Sequence, residues 1–384
     1  MSAPVTLSFT LSGKAWADRP ARPRLDRWED PGRTAVLARR AHVCYVDGMD
    51  NEPGKTFKET AVPADPAIPP QPYIHYGICD ASAALALDER RFVVADDERS
   101  VLNIFRFDGA DAADSVNLDA FLGTGKDDEA DLEGCALSGD TIYWIGSHGA
   151  DGDGMPAPLR RVLFATRLEE GARPGERTLR QFGRPYRRLL EDFDASPARE
   201  GYDLLGAALM DPKKEGGLSI EGLAETPRGA LLIGLRNPVP ADGALVLTLE
   251  NPADVVQGGA ARFGPCFTLD LGGLGIRSIE RHGEGYYIVA GPFDKDKSRD
   301  KDKADRNSRF ALFRWSGIQN DRPERVAFPL LAGLTPEALF FDPAGTLHIL
   351  SDDGRNQPGG NGKCKNRAAA DRQFRRIAVP PGAY

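Results

Sequence analysis

Cysteine is scarce in this chain and shows no pattern. Cys44, Cys79, Cys135, Cys266 and Cys364 are scattered over 384 residues without a CxxC pair. An odd, dispersed set argues against a disulfide framework and against a zinc ribbon, and makes a reducing cytoplasm the expected location. Basic excess is also missing. The net charge of −8 excludes the positive face that nucleic-acid binding requires. No charge-free apolar run reaches the roughly 18–20 residues of a membrane span. The first residues, MSAPVTLSFTLSGKAW, lack a basic n-region and an unbroken apolar stretch, so they read as mature protein and not as a signal peptide. No GxSxG elbow, HExxH pair or phosphate-binding loop is present. Hydrophobic residues, at 41%, still suffice for a packed core.

What the chain does have is a recurring phrase. Residues 219–238, SIEGLAETPRGALLIGLRNP, consist of an apolar run, a Pro/Gly turn and a second apolar run ending in a polar tip. That pattern predicts a β-hairpin. Glu221 lies 13 positions before Gly234, and the same spacing joins Ser82 to Ala95, Glu133 to Gly146, Arg277 to Ala290 and Glu337 to Leu350. Each hairpin is followed by a third strand-like run, at 101–107, 162–168, 244–249, 310–315 and 374–379. A fourth often follows, at 115–121, 178–182, 266–271 and 326–331. Four antiparallel strands in each of five repeats, at roughly 40–60 residues per repeat, predict an all-β fold: a single-domain β-propeller over 1–384.

The last repeat lacks a fourth strand. The alternating stretch at 5–11, within a leading segment 1–13, is free to supply it and close the ring. Residues 14–76 read as an irregular extension. A sixth, degenerate blade within 14–72 is the alternative to five. The five repeats occupy 77–384, with an insertion at 185–218 that includes a possible helix at 186–194.

Hairpin geometry sets the start of each first strand and the end of each second strand on one face of the disc. The long connections at 148–161, 185–218, 292–309 and 352–373 fall on the same face, where function is expected to gather. The first strands line the axis, so Ser82, Glu133, Glu221, Arg277 and Glu337 are expected to ring it. Asp80 and Asp131 stand two residues earlier. Asp96, Asp97, Ser147, His148, Arg236, Asn237 and Asp352 join them at the mouth.

Two readings fit this set. A hard cation such as calcium takes six to eight oxygens, which Glu, Asp and Asn from several blades can supply. In that reading His148 is the general base, with Glu133 and Glu221 beside it, and Arg236, Arg277 and Asp97 bind an anionic substrate. In the other, the carboxylates and arginines pair with each other and tie the blades together. Elsewhere, Cys135 reads as an inert buried thiol. His42, His75, His282 and His348 read as structural or exposed. The DKDKSRDKDKAD run at 294–305 reads as a solvated charged loop.

The phrases CDASAALALDERRFVVADDE, EADLEGCALSGDTIYWIGSHG, SIEGLAETPRGALLIGLRNP and LDLGGLGIRSIE resemble a bacterial family known only as a domain of unknown function. The Glu-Gly hairpin phrase is also similar to propeller hydrolases: esterase-like phytases, gluconolactonases and paraoxonases. That resemblance implies a hydrolase acting on a small anionic ester, lactone or phosphoester, with calcium at the axis and no organic cofactor. The implied metal ligands are Glu133, Glu221, Glu337, Asn237 and Asp352, with Arg277 and Ser82 standing where those families carry ligands. The alternative function is a non-catalytic scaffold that binds a protein or small ligand through its rim loops.

Overall fold

The computed structural model describes residues 71–384 except 97, 126–127, 200, 294–309, 329–330, 332 and 355–366. Its strands form five antiparallel four-stranded sheets. The described residues open on β1 (Tyr73–Tyr76), which joins the last sheet. The first sheet holds β2 (Ala81–Ala86), β3 (Arg91–Asp96), β4 (Val101–Arg106) and β5 (Ala112–Asn117). The second holds β6 (Leu132–Ser138), β7 (Thr141–Gly146), β8 (Leu163–Glu170) and β9 (Arg177–Tyr186). The third holds β10 (Ser219–Glu225), β11 (Leu231–Asn237), β12 (Ala244–Leu249) and β13 (Phe263–Leu269). The fourth holds β14 (Gly275–His282), β15 (Gly285–Gly291), β16 (Ala311–Trp315) and β17 (Glu324–Val326). The fifth combines β18 (Pro336–Phe341), β19 (Leu347–Ser351) and β20 (Gln373–Val379) with β1.

Five blades close the ring. The innermost strands β2, β6, β10, β14 and β18 each neighbour the next, and β18 returns to β2. Five apolar cores alternate with them, one between each pair of successive blades. Leu102, Trp144 and Phe164 lie between the first and second, and Ile145, Leu223 and Leu247 between the second and third. Ile276, Ile288 and Trp315 follow, then Val289, Leu339 and Ile349, and finally Phe92, Phe340 and Phe374 between the fifth and first. The inner strands of each sheet are therefore apolar on both faces, which is why they read as near-continuous hydrophobic runs, whereas outer strands such as β5 are exposed.

The strand that completes the fifth blade differs from the expectation. Closure does come from the N-terminal side of the repeats, but β20 pairs with Tyr73–Tyr76. Residues 5–11 and the 14–70 part of the extension lie outside the described residues. The physical reason for the choice is burial. His75, at the centre of β1, stacks on Phe374 and packs edge-on to Phe92 and Phe105. Its Nε2 accepts a hydrogen bond of 3.0 Å from buried Arg376.

The 185–218 insertion is no free lid. Its helix α1 (Leu189–Asp194) and the short helix α2 (Leu204–Ala207) bury Leu189, Leu190, Phe193 and Leu204 against the core between the second and third blades. One further expectation is corrected: Cys79 is disulfide-bonded, whereas Cys135 and Cys266 are free. Its cysteine partner lies outside the described residues, as does the charged run 294–305.

Candidate functional site

Every innermost strand carries a β-bulge at the same place. The register skips one residue between Ala81 and Ala83, Leu132 and Gly134, Ile220 and Gly222, Ile276 and Ser278, and Pro336 and Ala338. The extra residues are Ser82, Glu133, Glu221, Arg277 and Glu337. A bulge re-aims the side chain of its unpaired residue, and here it turns all five toward the hub. The residue after each bulge is small, namely Ala83, Gly134, Gly222, Ser278 and Ala338. At Gly222 the reason is explicit: a Cβ would meet Ile276 Cγ2 at 2.7 Å and Ile279 Cγ2 at 2.9 Å on the next blade. The Glu-Gly dipeptide is thus a hub-pointing acid followed by a gap that lets the next blade approach.

The bulge residues form one charge network. Glu221 Oε1 lies 2.5 Å from Arg236 Nη1, and its Oε2 lies 3.1 Å from Arg277 Nε. Arg277 Nη2 pairs with Glu337 Oε1. Glu221 is 2% exposed and Arg277 1%. Glu133 completes the acidic side. Burial, then the charges of Glu221 and Asp131, push its carboxyl well above the usual range, against the pull of Arg236 and Arg277. Two carboxylates, Glu221 and Glu337, face two guanidiniums, Arg236 and Arg277. Buried charges demand this balance. The space left among Ser82, Glu133, Glu221 and Leu339 is a cavity of about 10 Å3, room for one water.

The other acids around this mouth are paired as well. Arg160 binds Asp131 and Glu129, each at 2.8 Å. Arg375 grips Asp353 with bonds of 2.7 and 2.8 Å. At the seam of the fifth and first blades, Asp80 faces Asp352. Burial and the Asp352 carboxylate push Asp80 up to about 10, so this pair shares a proton. Burial and Glu98 raise Asp96 to about 7.

Two of the remaining nominated residues, His148 and Asn237, are held by backbone carbonyls. His148 is fully buried, in a left-handed backbone conformation at φ 58°. Its Nδ1 donates to the Gly146 carbonyl at 2.8 Å, while Nε2 is buried without a partner. Burial, with Arg161 and Arg187 nearby, lowers it to about 4. The imidazole is thus shut away from solvent. Asn237 is likewise occupied: its amide donates to the Pro212 and Lys214 carbonyls at 3.0 and 2.6 Å and pins the loop before β10. Asp352 accepts from the Gly354 amide at 2.8 Å. Asp97 lies outside the described residues.

This donor set does not fit calcium. The Glu221 and Glu337 oxygens point at guanidinium groups, and a divalent cation placed there would be repelled by Arg236 and Arg277. Among the described residues, no three His, Cys, Asp or Glu side chains stand together as metal ligands do.

Two features escaped the sequence reading. One is a group of exposed apolar side chains on adjacent loops of the same face: Met155 (60% exposed), Leu209 (58%) and Met210 (43%). The loops are in contact, with position 154 packed on Asp211. Single apolar residues in loops carry no sequence signal. The other is Glu280, further along the innermost strand β14, where a carboxylate on a central strand was the available sign. No helix among the described residues is long and apolar enough to cross a membrane.

Fold and hub together define a five-bladed β-propeller whose axis is closed by a buried ion network. Residues 80–156 and 200–329, more than half the chain, match the family described as proteins of unknown function (DUF3616), and the chain belongs to that family. Among solved structures, the glutaminyl cyclase of Myxococcus xanthus is similar at 12% identity and a TM-score of 0.40, over 80% of this chain and 94% of that one. A protein described as a putative oxidoreductase (glucose dehydrogenase) from Thermus thermophilus is similar at 15% identity and a TM-score of 0.38, over 80% of this chain and 100% of that one. None of the curated proteins matches this sequence.

Proposed function

We propose that this propeller is a non-catalytic binding scaffold, and that it takes a protein segment bearing apolar anchor side chains against Met155, Leu209 and Met210. The observation that carries this reading is the state of the hub. An axial hydrolase needs an accessible base or metal beside an open pocket. Here the carboxylates are paired with Arg236 and Arg277, the cavity among them has room for no more than one water, and the nominated histidine is buried. Exposed methionines on a fixed loop pair suit a protein partner, because the thioether side chain adapts to varied apolar surfaces. The disulfide at Cys79 favours an oxidising compartment over the cytoplasm.

Two measurements test the proposal. The purified chain, assayed with and without calcium on ester, lactone and phosphoester substrates, is expected to give no turnover above buffer. Turnover abolished in Glu221→Gln would overturn the scaffold reading. The triple substitution Met155→Asp, Leu209→Asp, Met210→Asp is expected to keep the melting temperature. It should also lose at least tenfold in affinity for any partner identified with the wild type and then purified.

A further inference from the structure

The far end of the channel, on the hairpin-turn face, opens into a second cavity of about 270 Å3. Three adjacent innermost strands line it: Ala136 and Leu137 from β6, Glu225 from β10, and Glu280 and Arg281 from β14, with Gly283 at the turn. The geometry points to a binding site for a small primary amine here, its ammonium seated against Glu280 and its aliphatic stem against Ala136 and Leu137.

Two of the three charged groups in this cavity are already engaged. Glu225 is satisfied: Oε1 accepts from Ser138 Oγ at 2.6 Å, and Oε2 lies 3.3 Å from Arg281 Nη1. That contact also commits the guanidinium of Arg281. Glu280 is different. Among the described residues its carboxyl makes no hydrogen bond or ion pair, although it is half-buried beside a second carboxylate. Ionising this half-buried carboxyl beside Glu225 is unfavourable, and a cation delivered by a ligand offsets that cost. The wall beside it is apolar, and Leu137 is open to solvent, so a short hydrocarbon stem would gain burial on entry. An anion would meet two carboxylates, and a neutral alcohol would leave Glu280 without a charge partner.

Protonation supplies a signature. The groups facing Glu280 are Glu225 from β10, Arg281 from β14 and the Cys135 thiol from β6, which Glu280 itself helps to push upward. Burial, then Glu225, raise the Glu280 carboxyl to about 8. At pH 7 the empty site is therefore mostly protonated. Binding an ammonium expels that proton, while an alkylamine keeps its own up to about pH 10. Affinity must rise from pH 7 to pH 9.

The experiment is calorimetric titration of the full chain with n-butylamine hydrochloride, and with n-butanol as the uncharged control, in two buffers of different ionisation enthalpy. Saturable binding is expected for the amine alone, about tenfold tighter at pH 9 than at pH 7, with proton release at pH 7. Glu280→Gln is expected to abolish binding while keeping the melting temperature. Leu137→Trp, at an exposed position, should fill the cavity and weaken binding at least tenfold. The rim-loop triple variant should bind the amine as the wild type does, which separates this site from the proposed protein-binding face. No saturable heat with the wild type at millimolar amine, equal binding of butanol, or undiminished binding in Glu280→Gln would each overturn the proposal.

Discussion

Arg277 Nε lies 3.1 Å from Glu221 Oε2, although 56 residues separate the two in sequence. Both are the unpaired residue of a β-bulge on neighbouring innermost strands, and both are buried. The contact joins the third blade to the fourth at the axis, and the second arm of Arg277 reaches Glu337 on the fifth.

Removing Arg277 leaves the buried Glu337 carboxylate without its partner and Glu221 with Arg236 alone. Arg277→Met is expected to destabilise the protein by about 3–5 kcal/mol, the range for breaking one side of a buried ion pair. Adding Glu337→Gln to it should recover part of that loss, because the Glu221–Arg236 pair then remains and no carboxylate is left alone. Urea unfolding checks both, and a cost below about 1 kcal/mol for the single variant would dismiss the hub as a stabilising unit.

Gly222→Ala tests the blade spacing. The added methyl meets two isoleucine side chains of the next blade below 3 Å. Overpacking of this kind costs about 1–3 kcal/mol. Trimming the obstacle with Ile276→Ala in the same chain should make the alanine less damaging than it is alone. A neutral Gly222→Ala would contradict the close approach.

Acid should loosen the seam between the fifth and first blades. Burial and Arg376 lower His75 to about 3 and His348 to about 4, and burial lowers His148 to about 4. The unfolded chain takes up these protons near pH 6.5, and the folded chain does not. Stability from these groups is complete above that value and is lost as pH falls from about 6.5 toward 3. Urea midpoints at pH 7, 5.5 and 4.5 should fall steadily, and less steeply in His348→Gln. Equal slopes would free His348 of this role.

Asp80 has the opposite sign. Its raised carboxyl binds a proton in the folded state that the unfolded chain has released above about pH 4, so its contribution weakens as pH rises. Asp80→Asn keeps the shape without the ionisation. A higher urea midpoint at pH 8 is expected, with the gain shrinking toward pH 4. A variant less stable than the wild type at pH 8 would show that the Asp80–Asp352 contact is favourable as it stands.

Much of the fold was legible because hairpins are local. The 13-residue spacing from Glu221 to Gly234 carries a bulged strand, its turn and the return strand, and the register pairs Gly222 with Gly234. The third strands fell within a residue or two of their places for the same reason, and 186–194 did contain the helix Leu189–Asp194. The site was legible as a set of residue types and only half as an arrangement. Glu133, Glu221, Glu337, Arg236 and Arg277 do meet. His148 and Asn237 sit at the same strand ends, but a left-handed turn and a loop carbonyl pair take them out of reach.

By itself the sequence determined the blades, since alternation, turns and repeat length act over a few dozen residues. Only the tertiary structure decided which charges cancel, because Glu221, Arg277 and Glu337 come from three blades and their pairing depends on how the ring closes. It also decided that closure falls to Tyr73–Tyr76. Many short alternating segments can add to an open edge, and the one that buries His75 among Phe92, Phe105 and Phe374 is chosen by contacts from the far end of the chain, as Arg376 to His75 shows at a separation of 301.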